Sequence, residues 1–219
     1  MRPIIRNSLE FVRQYWYFYV SLENDFLDTE QYVSMEEDNF STYSIRYNRI
    51  LQATCSEIDV IMKLVKDIYE ASGPDNINNY YNIIARNCKN LISEKVEVKL
   101  CGLNLVPWER ENGETPNWWL KYQKIKHERT TINSDTNMPY YKFANLKNVL
   151  NALAALYIAE MYLLAEVVVR DETGDDGNVF FQCKSKIFEL PRWNQCYQNC
   201  YGSEKFDKQT LEIIIKKSK

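Results

Sequence analysis

The sequence predicts a mainly α-helical domain, a helical bundle carrying a small extended or hairpin appendage at its C-terminal end. Apolar residues recur at three- and four-residue steps through residues 41–72 and 77–92. The run from Ala152 to Val169 is apolar nearly all round, which marks the central helix of a bundle. Strand-like alternation is confined to short pieces.

In chain order, a first helix is expected from Arg2 to about Asp28, with Pro3 in its first turn and Leu9, Val12, Trp16, Tyr19 and Val20 along it. A second starts from Ser41 or Thr42 as N-cap. It carries Ile45, Ile50, Leu51, Thr54, Ile58, Ile61, Val65 and Ile68 to a stop at Ser72-Gly73-Pro74. A third covers about Ile77 to Ile92. Val96, Val98 and Leu100 suggest a short strand or an extended connection, and Leu103 to Gly113 reads as irregular chain. Thr115 offers an N-cap, and Pro116 the first position, for a short helix through Trp118, Trp119, Tyr122 and Ile125. The long helix runs from about Phe143 to Val169, with Ala144, Asn148, Ala155 and Ala159 forming a stripe of small residues. Residues 1–170 therefore form the bundle. After Arg170, Thr173-Gly174-Asp175-Asp176-Gly177 is turn chemistry, and Val179-Phe180-Phe181 and Lys186-Ile187-Phe188 suit edge strands. Residues 171–219 are expected to pack on the bundle or on a partner.

A chain of 219 residues buries enough surface to fold without metal or disulfides. With 27 basic against 30 acidic residues, the net charge of −3 offers no general attraction for nucleic acid, so an RNA site has to be a local basic patch. The N-terminal stretch contains Glu10 and Arg13 and lacks the apolar region of a signal peptide, which points to a cytoplasmic protein. Glu160 and Glu166 interrupt the apolar run, making a buried core helix the expectation and a membrane span costly. Six cysteines are scattered. Only Cys183, Cys196 and Cys200 cluster, and three thiolates without a histidine fall short of a closed four-ligand zinc site. Neither a metal nor a cofactor is expected, and no glycine-rich phosphate loop is present.

The segment richest in chemistry surrounds the only histidine. At 3.6 residues per turn, Trp118, Tyr122 and Ile125 share one face, while Leu120, Gln123 and His127 point to the other. Continued further, the helix would turn Arg129 back toward the apolar stripe. Either the helix ends near Glu128 or Arg129 meets a buried acceptor. A histidine titrating near pH ~6.5 suits proton transfer, and Lys121, Lys124, Lys126 and Arg129 surround it with positive charge. In metal-free RNA cleavage a base takes the 2′-OH proton, cations stabilise the phosphorane and an acid protonates the leaving oxygen. The structural alternative is a helix C-terminus where basic residues meet the negative end of the dipole. One histidine cannot be both separate acid and separate base; a homodimer would bring two together. Glu57, on an apolar face, needs a partner if buried, and Arg129 or His127 are natural ones. Asn148 and Asn151 are either hydrogen-bond anchors or groups that position His127.

The segments Asn39-Phe40-Ser41-Thr42-Tyr43-Ser44-Ile45, Cys55-Ser56-Glu57-Ile58-Asp59-Val60, Pro116-Asn117-Trp118-Trp119, Tyr122 to Arg129, and Ala144 to Leu153 occur in that order. Together they resemble a group of bacterial proteins related to HEPN domains. These are helical bundles of toxin–antitoxin, abortive-infection and CRISPR-linked systems, and the resemblance covers about residues 20 to 168. It implies a HEPN-like bundle, a homodimer, RNA as target, metal-independent endoribonuclease chemistry in bacterial defence, and a protein partner such as an antitoxin. HEPN nucleases carry an arginine four to six residues before the catalytic histidine. Here Lys121 and Gln123 stand upstream, and Arg129 lies downstream. Lysine lacks the planar fork that holds phosphate bidentately.

Two readings follow. In one, the chain is an RNA-directed effector, with His127 as general acid or base and Lys124, Lys126 and Arg129 holding phosphate. In the other, it is a non-catalytic helical module for a protein partner or a nucleotide.

Overall fold

The computed structural model describes residue 5 and residues 7–110, 115–170, 183–194 and 208–215. Helix α1 (Ser8–Phe11) is capped by the Asn7 side chain, which accepts from the Glu10 N–H at 3.0 Å. The cap places the start several residues beyond the expected Pro3, which lies outside the described residues. A π-helical turn, Val12–Trp16, leads into α2 (Tyr17–Leu27). Its wider turn accommodates an extra residue, so Phe11 and Trp16, five apart, both face the core.

Helix α3 (Ile45–Ile68) is capped by Ser44, whose side chain accepts from the Tyr47 N–H. Ser41 and Thr42 are not the cap because the chain there is still extended. Tyr43 forms a bridge to Asn145, and the Thr42 carbonyl accepts from the Leu146 N–H at 2.9 Å. The helix stops before the expected Ser-Gly-Pro. Glu70 adopts φ 48°, letting the Ala71 N–H reach the Lys66 carbonyl and the Glu70 N–H the Asp67 carbonyl, a Schellman ending. The third expected helix divides at Cys88, which leaves helical geometry with ψ 55°, into α4 (Ile77–Asn87) and α5 (Lys89–Ile92).

Strand β1 (Val96–Val98) pairs antiparallel with β2 (Leu103–Leu105) across a turn in which Gly102 has φ +67°. The second strand falls in a stretch expected to be irregular; backbone pairing with Val96–Val98 decided it. Helix α6 (Asn117–Glu128) begins one residue later than expected, because Pro116 is extended and acts as the cap position while the Thr115 hydroxyl makes no hydrogen bond. Strands β3 (Ile132–Asn133) and β4 (Met138–Pro139) form a hairpin closed by Asn133, whose side-chain oxygen accepts from Asp135 and Thr136. A 3₁₀ turn, Tyr140–Phe143, then delivers the chain to α7 (Leu146–Arg170).

Helix α7 is buried along almost its whole length. It is long and apolar enough to cross a membrane, yet 94% of its most apolar stretch is covered by the rest of the chain. Helix α3 makes its most extensive contact, and α6, α2 and α8 (Lys208–Ile215) cover further sides. The small side chain of Ala155 leaves room for the fully buried Trp108, whose Nε1 donates to the Ala155 carbonyl at 3.0 Å. Strand β5 (Phe188–Glu189) pairs with β1, giving the sheet order β2-β1-β5. The expected strand at Val179–Phe181 and the turn at Thr173–Gly177 lie outside the described residues.

Two buried carboxylates fasten the C-terminal segments to the bundle. Glu23 on α2 accepts from the Tyr19 and Ser185 hydroxyls and from the backbone N–H groups of Lys186 and Ile187. Glu94, between α5 and β1, accepts from Tyr162, Arg192 and Trp193. A buried donor left without its acceptor costs roughly 1–3 kcal/mol. Glu23→Ala, which strands several at once, is therefore expected to lower the unfolding free energy by about 3 kcal/mol or more. Urea unfolding of the purified variant measures this, and stability equal to wild type would refute the role given to Glu23.

Candidate functional site

Helix α6 sorts its residues by period. Trp118, Trp119, Tyr122 and Ile125 are buried, and the Trp118 indole donates to the Pro107 carbonyl at 2.6 Å. The basic residues divide into two groups, one over the 3₁₀ turn and one at the helix end. Lys121 and Lys124 lie back over the 3₁₀ turn. The Lys121 ammonium is 4.5 Å from the centre of the Phe143 ring, and that of Lys124 is 5.5 Å from the Tyr140 ring and 2.7 Å from the Glu128 carboxylate. The hydrogen bond to Glu128 holds the Lys124 proton more firmly than usual. Lys124 is thus already partnered.

Lys126, His127 and Arg129 form the second group and are exposed. The helix ends at Glu128, the first of the two outcomes foreseen for Arg129, whose side chain points to solvent while its carbonyl accepts from the Tyr141 N–H at 3.0 Å. Among the described residues, His127 makes no hydrogen bond or ion pair that would fix its ring or select a tautomer.

Beside this helix runs an open groove of about 900 Å³ where α3, the start of α4 and α6 meet. Gln123 and Lys126 line it together with Ser56, Asp59, Asp75 and Asn76. His127 lies one turn beyond Gln123 and is not part of the lining. Asp59 is held by Lys63 and by the Tyr80 hydroxyl, at 3.1 Å from the latter, and Asp75 pairs with Lys66 at 2.8 Å. The groove is therefore a mixture of amides, hydroxyls and neutralised carboxylates with one exposed lysine.

Other expected members stand apart. Asn148 and Asn151 line a separate pocket of about 240 Å³ with Asn117 and Trp118, at the opposite end of α6 from His127. Ten residues of helix separate Asn117 from His127, roughly 15 Å at a rise of ~1.5 Å per residue. These asparagines do not position His127. Asn148 donates to the Phe143 carbonyl at 2.8 Å and Asn151 to the Lys147 carbonyl at 2.8 Å, so both act as local backbone anchors.

Glu57 pairs with neither Arg129 nor His127; it sits on the side of α3 facing Tyr15 and Glu160. Burial raises its carboxyl above the usual range. Glu160, fully buried on α7, has both carboxylate oxygens without a hydrogen-bond partner. Its carboxyl is pushed well above the carboxylate range, by burial first and by the charge of Glu57 second. Among the described residues no group of His, Cys, Asp and Glu is arranged to hold a metal ion. Cys183 is a buried free thiol, and Cys196 and Cys200 lie outside the described residues.

No protein-family model, curated protein or solved structure matches the chain. The functional reading rests on the geometry of this molecule.

The folded protein holds the Glu160 proton to higher pH than the unfolded chain does. Between the ordinary carboxylate pKa of about 4.3 and the raised folded value, the native state binds more protons, so stability falls as pH rises. Glu160→Met removes the buried carboxyl at similar volume. It is expected to stabilise the protein by about 1–3 kcal/mol near neutral pH and to flatten that decline. Urea unfolding at several pH values tests this; an unchanged pH dependence would rule out Glu160 as its source.

Proposed function

We propose that the chain is an RNA-directed helical effector that meets phosphates with the exposed end of α6, and that a single copy does not itself supply a complete acid–base pair. One observation carries the reading. Lys126, His127 and Arg129 are each exposed at the end of α6 and make no ion pair among the described residues, while Lys124 is neutralised by Glu128. Unpaired cations on an otherwise acidic protein form a local site for a polyanion.

The same geometry explains why cleavage would need a second copy. No described side chain orients His127, and the molecule has no other histidine to take the opposite proton-transfer role. A symmetric pair placing two α6 ends across one cleft supplies both imidazoles and doubles the cations. The defence or toxin–antitoxin setting implied by the HEPN resemblance belongs to this reading.

A second reading, a non-catalytic module, is favoured by the groove. Its carboxylates Asp59 and Asp75 are already taken up by Lys63 and Lys66, and its amides and hydroxyls suit the backbone of a protein segment.

Binding of single-stranded RNA in chelator-containing buffer is expected to weaken with salt. Lys126→Ala/Arg129→Ala should reduce the slope of log K against log salt by roughly 1.4, two phosphate contacts at ~0.7 each. RNA cleavage, read on denaturing gels, should require the dimer and vanish in His127→Ala with an unchanged circular dichroism spectrum. Salt-independent binding, or cleavage that survives His127→Ala, would overturn the assignment.

A further inference from the structure

The residues linking α6 to α7 make a second surface that the basic helix end does not account for. Residues 129–145, between the two helices, hold Arg129 and Lys142 against one acidic residue, Asp135. Two tyrosines stand out at the centre of this stretch and its neighbour. Tyr43, before α3, and Tyr141, in the 3₁₀ turn, are 44% and 39% exposed. Their ring centres are 5.8 Å apart at an interplanar angle of 69°.

The pair is held in place by backbone, not by its hydroxyls. Tyr43 is fixed by the bridge to Asn145, and the Tyr141 N–H donates to the Arg129 carbonyl at 3.0 Å. That last contact puts the exposed Arg129 directly beside the platform. The Lys142 ammonium lies 5.5 Å from the centre of the Tyr43 ring. Single exposed tyrosines are ordinary on a protein surface. Two in edge contact, with Lys142 against one ring and the exposed Arg129 next to the other along the backbone, combine a stacking platform with phosphate-matching charge.

We infer that Tyr43 and Tyr141 form a stacking platform for the bases of single-stranded RNA, with Arg129 and Lys142 meeting its phosphates. The inference deepens the RNA-directed reading and rests on it. Unpaired bases expose the π faces that aromatic rings accept, and flanking cations track the backbone, the combination by which single strands are held without sequence preference. A duplex hides those faces.

The test is fluorescence anisotropy of the full-length protein with a labelled oligouridine of about twelve nucleotides, alone and annealed to oligoadenine. Tyr43→Ala/Tyr141→Ala is expected to weaken single-strand binding about 30-fold or more, and Tyr43→Phe/Tyr141→Phe to stay within about 3-fold of wild type. Tyr17→Ala, at a tyrosine 63% exposed elsewhere, should leave affinity unchanged. The duplex should bind at least about 10-fold more weakly than the single strand. Wild-type binding that the double alanine variant retains, or equal affinity for the duplex, overturns the platform and leaves the RNA-directed reading in place. No binding of the single strand by wild type overturns both.

Discussion

A helix that is apolar on every side has to be enclosed, and the whole molecule is arranged around that requirement at α7. At roughly 25 cal/mol per Å² of buried apolar surface, leaving any side of such a helix wet would forfeit several kcal/mol. No single neighbour can cover it. Helix α3 takes the longest side, α2 and α6 others, and α8 the remainder, so segments from both ends of the chain converge on one core. The position of α6, and with it the exposed basic end, follows from this packing. Tyr122 and Ile125 point inward, and the 3.6-residue period turns His127 outward.

Enclosure on this scale brings polar groups into the interior, and the molecule treats them unequally. Glu23, Glu94 and Glu166 are each met by hydroxyls, backbone N–H groups or arginine. Among the described residues Glu160 meets no hydrogen-bond donor, with Glu57 across from it. The three satisfied carboxylates specify which segment docks where, because an apolar contact of the same area would accept many registers. The unsatisfied one contributes no such selectivity and weakens the core in proportion to its ionisation.

Periodicity made the main helices legible before any coordinates. Ile45 to Ile68 and the run after Leu146 are long enough for a period to average out single exceptions. Ends were less legible, because they depend on partners distant in sequence. Ser44 and not Thr42 caps α3 since Thr42 is committed to Leu146, more than a hundred residues away. Strand β2 was invisible for the same reason: three residues acquire strand character only from β1 beside them. At the site, the outward direction of His127 could be read from the helical period, while the end of α6 at Glu128 was one of two outcomes that the pattern left open. The asparagines on α7 could not be placed, because their distance from His127 depends on how α6 crosses α7. Tyr43 and Tyr141 left no local signal at all, since nearly a hundred residues separate two rings that the fold sets edge to edge.

The anchoring of Glu23 also constrains the order of events at synthesis. Its hydroxyl partner Ser185 is 162 residues further along the chain. Helix α2 therefore emerges from the ribosome long before the groups that satisfy its carboxylate exist. Until they arrive, that carboxylate remains hydrated and the side of the bundle it occupies stays open. Closure of such a long-range contact is a late step, paced by translation at about 5–20 residues per second. Nascent chains stalled short of Ile187 thus display an unfinished face.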